Sequence, residues 1–342
     1  MKRLLPAFLF VLCSGFYAAA QDQPNTSCAQ SLRLAQATYE SGRLHDVPNY
    51  LSNCTNSSVT QERVTAYKLL CLTYIYLEEP AKADEAMLKI LQTFHEFKPS
   101  NADPAEFVAL WKTFRRDPIY RFGGKLGANA SQPNVKESVE ANQGKSKYAY
   151  KIGIQVYATA EIPLTEKLTF NPSLGFIQRS FEFSNTYTDG DTTFLTVVKE
   201  TQQWLSLPLV VQYKVTRLKF EPYVSLGIQT DYLLGTNSLG SRDRTGYQFI
   251  QEEKFDFKSL RNKLNLSVIA GVGGRVKLGG GYIVGEATFA YGLSPLSSKA
   301  SAYKNTEVAF KYGYADNLFS LNGLNLSVGY VYNIYNPKKI RK

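Results

Sequence analysis

From about residue 118 onward, apolar and polar residues alternate with a period of two, the spacing that sends successive side chains to opposite faces of a β-strand. The last such stretch is the plainest: Leu324, Leu326, Val328, Tyr330, Tyr332 and Ile334 alternate with Asn325, Ser327, Gly329, Val331, Asn333 and Tyr335. Leu264, Leu266, Val268, Ala270 and Val272 stand in the same way against Lys263, Asn265, Ser267 and Gly271. So do Leu218, Phe220, Val224, Leu226 and Ile228 against Glu221, Ser225, Gly227 and Gln229. The pattern predicts eight strands, at about 119–130, 148–162, 167–184, 193–214, 217–235, 259–277, 280–293 and 319–335. Most are longer than the five or six residues usual in globular sheets.

The connections alternate in length. Those at 163–166, 215–216 and 278–279 are tight, whereas 131–147, 236–258 and 294–318 are long and 185–192 is intermediate. An even number of long antiparallel strands, joined by tight turns on one side and longer connections on the other, is the pattern of an outer-membrane barrel. An even count also returns the chain to the side on which it entered. Whatever precedes and follows the barrel is therefore expected on the tight-turn side, in the periplasm.

Charge sharpens this reading, because a lipid-facing Arg or Lys at mid-membrane costs about 2–4 kcal/mol. On the register set by the apolar positions, Lys125, Lys151, Glu161, Arg179, Glu221, Asp231, Lys263, Arg275 and Glu286 all fall on the opposite face. They are expected to form a structural ion-pair network in the lumen. An eight-stranded barrel has an interior only wide enough for its own side chains, which disfavours a porin. Tyr148, Tyr150, Tyr213, Phe220, Tyr232, Tyr291 and Tyr330 are candidates for the aromatic girdles at the two interfaces. Asp243, Glu252 and Glu253 read as solvated charges of the long connection 236–258.

Residues 27–116 instead follow helical spacing, with Gly and Pro between segments, and predict four or five short helices. The stretch 31–41 stops at Gly42, and Ser58-x-x-Gln61 and Asp103-Pro104-Ala105-Glu106 have the form of capping-box helix starts. The offset from Tyr39 to Tyr74 is near the roughly 34-residue period of tetratricopeptide repeats, so this region reads as tetratricopeptide-like. Ahead of it, Lys2 and Arg3, the apolar run Leu4–Leu12 and Ala18-Ala19-Ala20 form an export signal with cleavage expected between Ala20 and Gln21. The expected organisation is a signal peptide at 1–20, a helical domain at 21–117, a barrel at 118–336 and a basic tail at 337–342.

Composition excludes several chemistries. The chain has 342 residues and only 2 His, His45 and His95, both in the helical region, so a serine–histidine site on the barrel rim is not available and no enzyme is expected. The formal charge of +10 falls to +8 once Lys2 and Arg3 leave. That balance is basic but diffuse, and with no basic helix or RNA-binding motif it implies no nucleic-acid partner. Gly271-Val272-Gly273-Gly274 and Gly279-Gly280-Gly281 fit no phosphate-loop or dinucleotide fingerprint, and no cofactor or metal is expected. Of the 4 Cys, Cys13 lies in the signal, Cys28 and Cys54 can pair in an oxidising compartment, and Cys71 lies in an apolar run as a buried thiol.

The barrel segments carry Gly123-Gly124-Lys125-Leu126-Gly127, Pro163-Leu164-Thr165-Glu166-Lys167, Pro172-Ser173-Leu174-Gly175-Phe176, Leu205-Ser206-Leu207-Pro208-Leu209, Pro222-Tyr223-Val224-Ser225-Leu226-Gly227 and a terminal Gly329-Tyr330, in that order. In these the chain resembles the PorT-like outer-membrane β-barrel family of Gram-negative bacteria, in the branch with a helical region before the barrel. The resemblance runs from about Tyr39 to the C-terminus. It implies insertion in the outer-membrane lipid of an eight-stranded, up-and-down, all-β membrane barrel preceded by a small α-helical tetratricopeptide-like domain. The expected role is non-enzymatic: the barrel anchors a periplasmic docking domain for a periplasmic or outer-membrane protein partner, as part of an envelope or secretion-related complex. The alternative is a surface-binding barrel acting through the connections 236–258 and 294–318, the former holding Tyr247, Phe249, Phe255 and Phe257.

Overall fold

Eight long strands hydrogen-bond edge to edge until the last meets the first. In the computed structural model, which describes residues 26–138, 145–216, 220–246, 250–298, 304 and 306–340, these are β1 (Tyr120–Glu137), β2 (Lys145–Pro163), β3 (Leu168–Asp189), β4 (Thr192–Lys214), β5 (Phe220–Arg244), β7 (Leu264–Leu278), β8 (Gly281–Gly292) and β9 (Leu318–Ile334). Every neighbouring pair is antiparallel, and β1 closes on β9 from Tyr120↔Ile334 upward. A ninth short strand, β6 (Ile250–Phe255), pairs with the far end of β5 and stands outside the ring. The signal and its cleavage point at Ala20 and Gln21, and Tyr247 and Phe249, lie outside the described residues.

β1, β3 and β5 run well beyond the stretches the alternation predicts, β1 reaching Glu137 rather than 130 and β3 reaching Asp189 rather than 184, while β4 keeps its predicted length to within a residue. β3 and β4 continue to a two-residue turn at Gly190-Asp191, where Asp189 pairs with Thr192. Gly190 has φ +56°, a left-handed conformation that glycine adopts without strain, and Gly279 has the same φ in the turn between β7 and β8. The region 236–258 is mostly not a loop, because β5 runs on to Arg244 and β6 folds back along it. We call this the tip end of the barrel. The turn end carries the start of β1, the end of β9 and the tight turns.

The outer wall is apolar over a broad belt. Leu126, Ile154, Leu226, Val272, Leu326 and Val328 all point outward and are more than half exposed. Phe122, Tyr213, Phe220, Tyr330 and Tyr332 ring its lower edge and Tyr150, Tyr232, Phe289 and Tyr291 its upper edge. From Phe220 to Tyr232 the tilted strand climbs about 30 Å, the thickness of a hydrocarbon core. Tyr148 departs from its predicted place: it turns inward and packs against Phe181, Phe183 and Phe319. Arginine at Leu226, which is 62% exposed in mid-belt, is expected to cost about 2–4 kcal/mol of folding free energy in lipid vesicles, measured by denaturant titration.

A second compact unit is built from the helical region up to Arg116 together with the residues from Asn336 onward. It contains α1 (Thr26–Glu40), α2 (Val47–Leu51), α3 (Thr60–Tyr76), α4 (Pro80–Thr93) and α5 (Ala105–Lys112). Its core gathers Ala35, Leu51, Leu69, Met87, Ile90 and Phe107. The α3–α4 pair is a full helical hairpin, with Pro80 at the first position of α4, where a missing N–H costs nothing. The helix entries differ in detail from the predicted capping boxes. Val59 and Pro104 occupy the N-cap positions of α3 and α5, Ser57 rather than Ser58 bonds a glutamate, Glu62, and Asp103 pairs with Lys68 at 2.6 Å.

Cys28 and Cys54 are disulfide-bonded, joining α1 to the turn before α3. Cys71 is free and buried, and burial followed by the nearby Asp84 carboxylate pushes its thiol up to about 12, so it stays protonated and inert. The bridge closes a sequence separation of 26 residues, which in the chain-entropy treatment stabilises the unit by about 3 kcal/mol. Replacing both Cys28 and Cys54 by serine is expected to remove that amount, read as earlier loss of the helical circular-dichroism signal on heating. The chain's last described residues are not a free tail. Phe114 forms a β-bridge with Lys339, Ile340 N–H donates to Thr113 O at 2.8 Å, and Lys339 pairs with Asp84.

Candidate functional site

The lumen is where charged residues converge, because every inward position of a closed eight-stranded ring faces a space that only side chains can fill. At the turn end, Arg121 and Arg275 both donate to Glu161 Oε2, at 3.0 and 2.7 Å. Arg275 also donates to Gln212 at 2.8 Å, and Glu221 lies between Arg275 and Lys214 at 4.0 and 3.8 Å. Half-way up, Glu286 accepts from Lys125 at 2.8 Å, from Tyr223 at 3.0 Å and from Ser327 at 3.3 Å. Above it, Asp231 pairs with Arg179 at 2.9 Å and accepts from Gln229 and Asn265.

These groups are nearly all buried, and each cation has a carboxylate within reach, as a low-dielectric interior requires. The space left among Lys125, Tyr157, Asn171, Gln229 and Glu286 is a cavity of about 30 Å³, room for a water molecule or two and for no larger solute. A side chain of this barrel therefore meets another side chain, not a conduit.

The tip end is shut by folded chain. The segments around 257–262, 296–298 and α6 (Thr306–Tyr312) to Asn317 reach over the mouth. Leu296 joins Ile177, Phe181, Trp204, Leu233 and Phe319 in one apolar cluster. Phe257, Val308, Tyr312 and Tyr314 pack with Phe183 and Val198 in another. At the junction of the two, Arg261 is fully buried. It donates from Nε and Nη2 to Glu200 at 2.9 and 2.5 Å, and its other amino group pairs with Asp316. Its guanidinium lies 5.2 Å from the centroids of both Phe257 and Phe319, and Tyr314 donates to Asp316 at 2.7 Å. The described parts of this connection, 294–298 and 306–318, thus plug the mouth by packing on the inner wall of the barrel, in contrast to the long loop expected.

Seven of the nine predicted lumen charges, Lys125, Glu161, Arg179, Glu221, Asp231, Arg275 and Glu286, lie inside and meet partners there. Two do not. Lys151 sits at a bulge in the β2–β3 ladder, where the register shifts between Lys151 and Gln155. It is exposed there, although the unbroken β1–β2 register sets it opposite the buried Ser131, and it pairs with Glu182 at 3.0 Å. Lys263 precedes the first residue of β7 and is exposed, so the strand's alternation does not reach it. Sequence reading missed Arg121, Glu200 and Lys214, all of which a period-two count along β1 and β4 places inward. It also missed Arg261 and Asp316, which lie in connections that have no period to read. Asp243 is exposed at the end of β5, and Glu253 on β6 pairs with Lys311 at 2.6 Å.

Among the described residues no group of His, Cys, Asp and Glu is placed to hold a metal ion, and no helix is long and apolar enough to cross a membrane. His45 is exposed and His95 bonds the Leu91 carbonyl, both in the helical unit.

No curated protein matches the chain in sequence. Among solved structures it is similar to Ail, the attachment invasion locus protein of Yersinia pestis, solved with the heparin analogue sucrose octasulfate, at 12% identity and a TM-score of 0.28 over 62% of this chain and 99% of that one. It is also similar to OprG of Pseudomonas aeruginosa, at 9% identity and a TM-score of 0.33 over 64% of this chain and 98% of that one. Neisserial surface protein A matches at 13% identity and a TM-score of 0.25, over 62% and 97% of the two chains. Residues 118–298, just over half of the chain, match the model of the outer membrane protein beta-barrel domain, and with its closed ring of strands and apolar outer belt the chain belongs to that family.

Proposed function

We propose that this is a non-enzymatic, PorT-like outer-membrane protein whose barrel is a sealed anchor, and whose tetratricopeptide-like helical unit works in the periplasm as a docking module of an envelope or secretion-related assembly. The observation that carries the reading is the filled lumen. Paired charges occupy its length, the cavity among them at its centre measures about 30 Å³, and the Arg261 plug packs into the tip end. Transport through the barrel is thereby disfavoured, and the work falls to what the barrel carries. The helical unit supports that role: Leu34, Tyr76 and Phe94 are about half exposed, in a unit that already has a complete core. Exposed aromatics of this kind are the usual anchors of protein interfaces.

In this reading the Gly190-Asp191 tip lies outside the cell and the helical unit inside the envelope, supported by the even strand count and by the tight turns at the end where the barrel begins and finishes. A cysteine placed at Asp191 is expected to react with a membrane-impermeant maleimide on intact cells. Labelling only after the outer membrane is breached would reverse the orientation. For docking, photo-crosslinking groups at Tyr76 and Phe94 of the full-length protein in living cells are expected to trap one envelope protein at both positions. No trapped protein, or one equally trapped from a control position on the barrel wall, would end the docking reading.

A second reading, surface binding through the tip end, is favoured by one observation. Phe310 on α6 is 87% exposed, more than any other large apolar side chain described. Loss of cell attachment to a surface in Phe310→Ser, with crosslinking at Tyr76 unchanged, would favour that reading over the first.

A further inference from the structure

The wall of the barrel is not equally closed all round. β1 and β2 pair from Arg121↔Glu161 only as far as Ser131↔Lys151. Above that point β1 continues to Glu137 along β9 alone, and Lys145 to Tyr150 of β2 pair with β3 alone. A seam therefore opens toward the tip end, and its strand edges carry backbone groups without ladder partners. Such an edge is expensive in hydrocarbon, so it belongs at the level of lipid headgroups. The side chains agree: Gln132 and Lys136 on β1 and Lys145, Lys147 and Lys151 on β2 are all exposed there. Behind the seam, Val135 and Tyr148 pack on the inner apolar cluster.

Just below the seam the outer wall is hollow. Ala130 and Gly323 leave a shallow floor, Leu324 and Phe289 line one side and Tyr150 the other, in an open groove of about 570 Å³ with Gln132 and Asn322 at its upper end. Phe289, Leu324 and Tyr150 are about half exposed, so the groove is apolar where it enters the belt. Lys136 Nζ lies 3.4 Å from the hydroxyl of Tyr291, two residues along β8 from the groove-lining Phe289. The carboxylates Glu137 and Glu182 share the region, Glu182 being taken by Lys151 at 3.0 Å, and the balance of charge remains positive.

An apolar trough that ends in amides and ammonium groups at headgroup height has the chemistry of a lipid seat. We propose that this groove binds a phosphorylated glycolipid of the outer leaflet, with an acyl chain between Tyr150 and Phe289 and a phosphate at Lys136 and the Gln132 and Asn322 amides. The choice of the outer leaflet rests on the orientation given above, which labelling at Asp191 tests by itself. Phosphate suits these residues because charge-assisted hydrogen bonds from ammonium and amide groups are the strong ones.

The test is native mass spectrometry of the full-length protein in mild detergent, titrated with bis-phosphorylated lipid A, with the same lipid after dephosphorylation and with phosphatidylglycerol. Folding of every sample is checked by the heat-dependent gel shift of an intact barrel. Saturable binding of one bis-phosphorylated lipid A per barrel is expected, weakened about tenfold, or about 1.4 kcal/mol, by Lys136→Gln and by Ala130→Trp, which fills the trough without touching charge. The lysine variant changes only one exposed side chain and decides the matter should tryptophan disturb folding. Equal binding of dephosphorylated lipid A or of phosphatidylglycerol, or unchanged binding in the lysine variant, would overturn the proposal.

Discussion

Alanine at Arg261 is expected to destabilise the tip end by about 3–5 kcal/mol, among the largest effects of any single change in this protein. The substitution leaves Glu200 and Asp316, both nearly inaccessible, facing each other with no cation between them. It also removes the flat group lying against Phe257 and Phe319, so packing is lost along with charge. The cost should appear locally, because the eight-stranded ring does not depend on the plug for its hydrogen bonds. Limited proteolysis should cut between residues 256 and 317 while the barrel keeps its heat-dependent gel shift. Arg261→Lys, which restores a charge but cannot serve both carboxylates from a planar fork, should recover only part of the loss. A plug that resists protease as well in Arg261→Ala as in the native protein would refute this account of the closure.

At the opposite end, Glu161→Ala should cost a comparable 3–5 kcal/mol, but globally. Glu161 is the shared acceptor of Arg121 and Arg275, two guanidiniums from strands on different sides of the ring. Without it, Arg275 keeps Gln212 and the more distant Glu221, and Arg121 keeps the Asn333 side chain. The whole unfolding transition in urea should move to lower denaturant, in contrast to the local opening at the tip. Glu161→Gln retains an oxygen acceptor and should lose less than alanine. A transition that stays in place in Glu161→Ala would mean the two arginines find equivalent partners elsewhere in the lumen.

The ring itself was legible in the sequence because lipid and lumen impose opposite chemistry on alternate residues, and strands such as 319–335 keep strict time over their whole length. Legibility failed where that constraint ends. Once β5 rises above the apolar belt, Leu234 is left without a partner opposite Gln203 and Trp204. Inward positions then change from Asp231 and Leu233 to Ser238 and Gly240, so the extension to Arg244 reads as loop. The β2–β3 register shift beside Lys151 is the same kind of slip. Arg261 and Asp316 were invisible for a different reason: neither lies on an element with a period, and only the folded plug brings them together, 55 residues apart in sequence. In the helical unit, local signals located the helices but not their caps. Ser57 and Ser58 are chemically alike, and the choice between them is made by packing.

The β-bridge between Phe114 and Lys339 makes the helical unit discontinuous in the chain, with the whole barrel threaded between its two parts. Its order of assembly is constrained as a result. The five helices are synthesised and exported first, yet the strand that completes them emerges only after β9. Until then Thr113 and Arg115 offer backbone groups that nothing in the helices satisfies, so the unit is complete only once Lys338 and Ile340, which follow the whole barrel in the chain, have joined it.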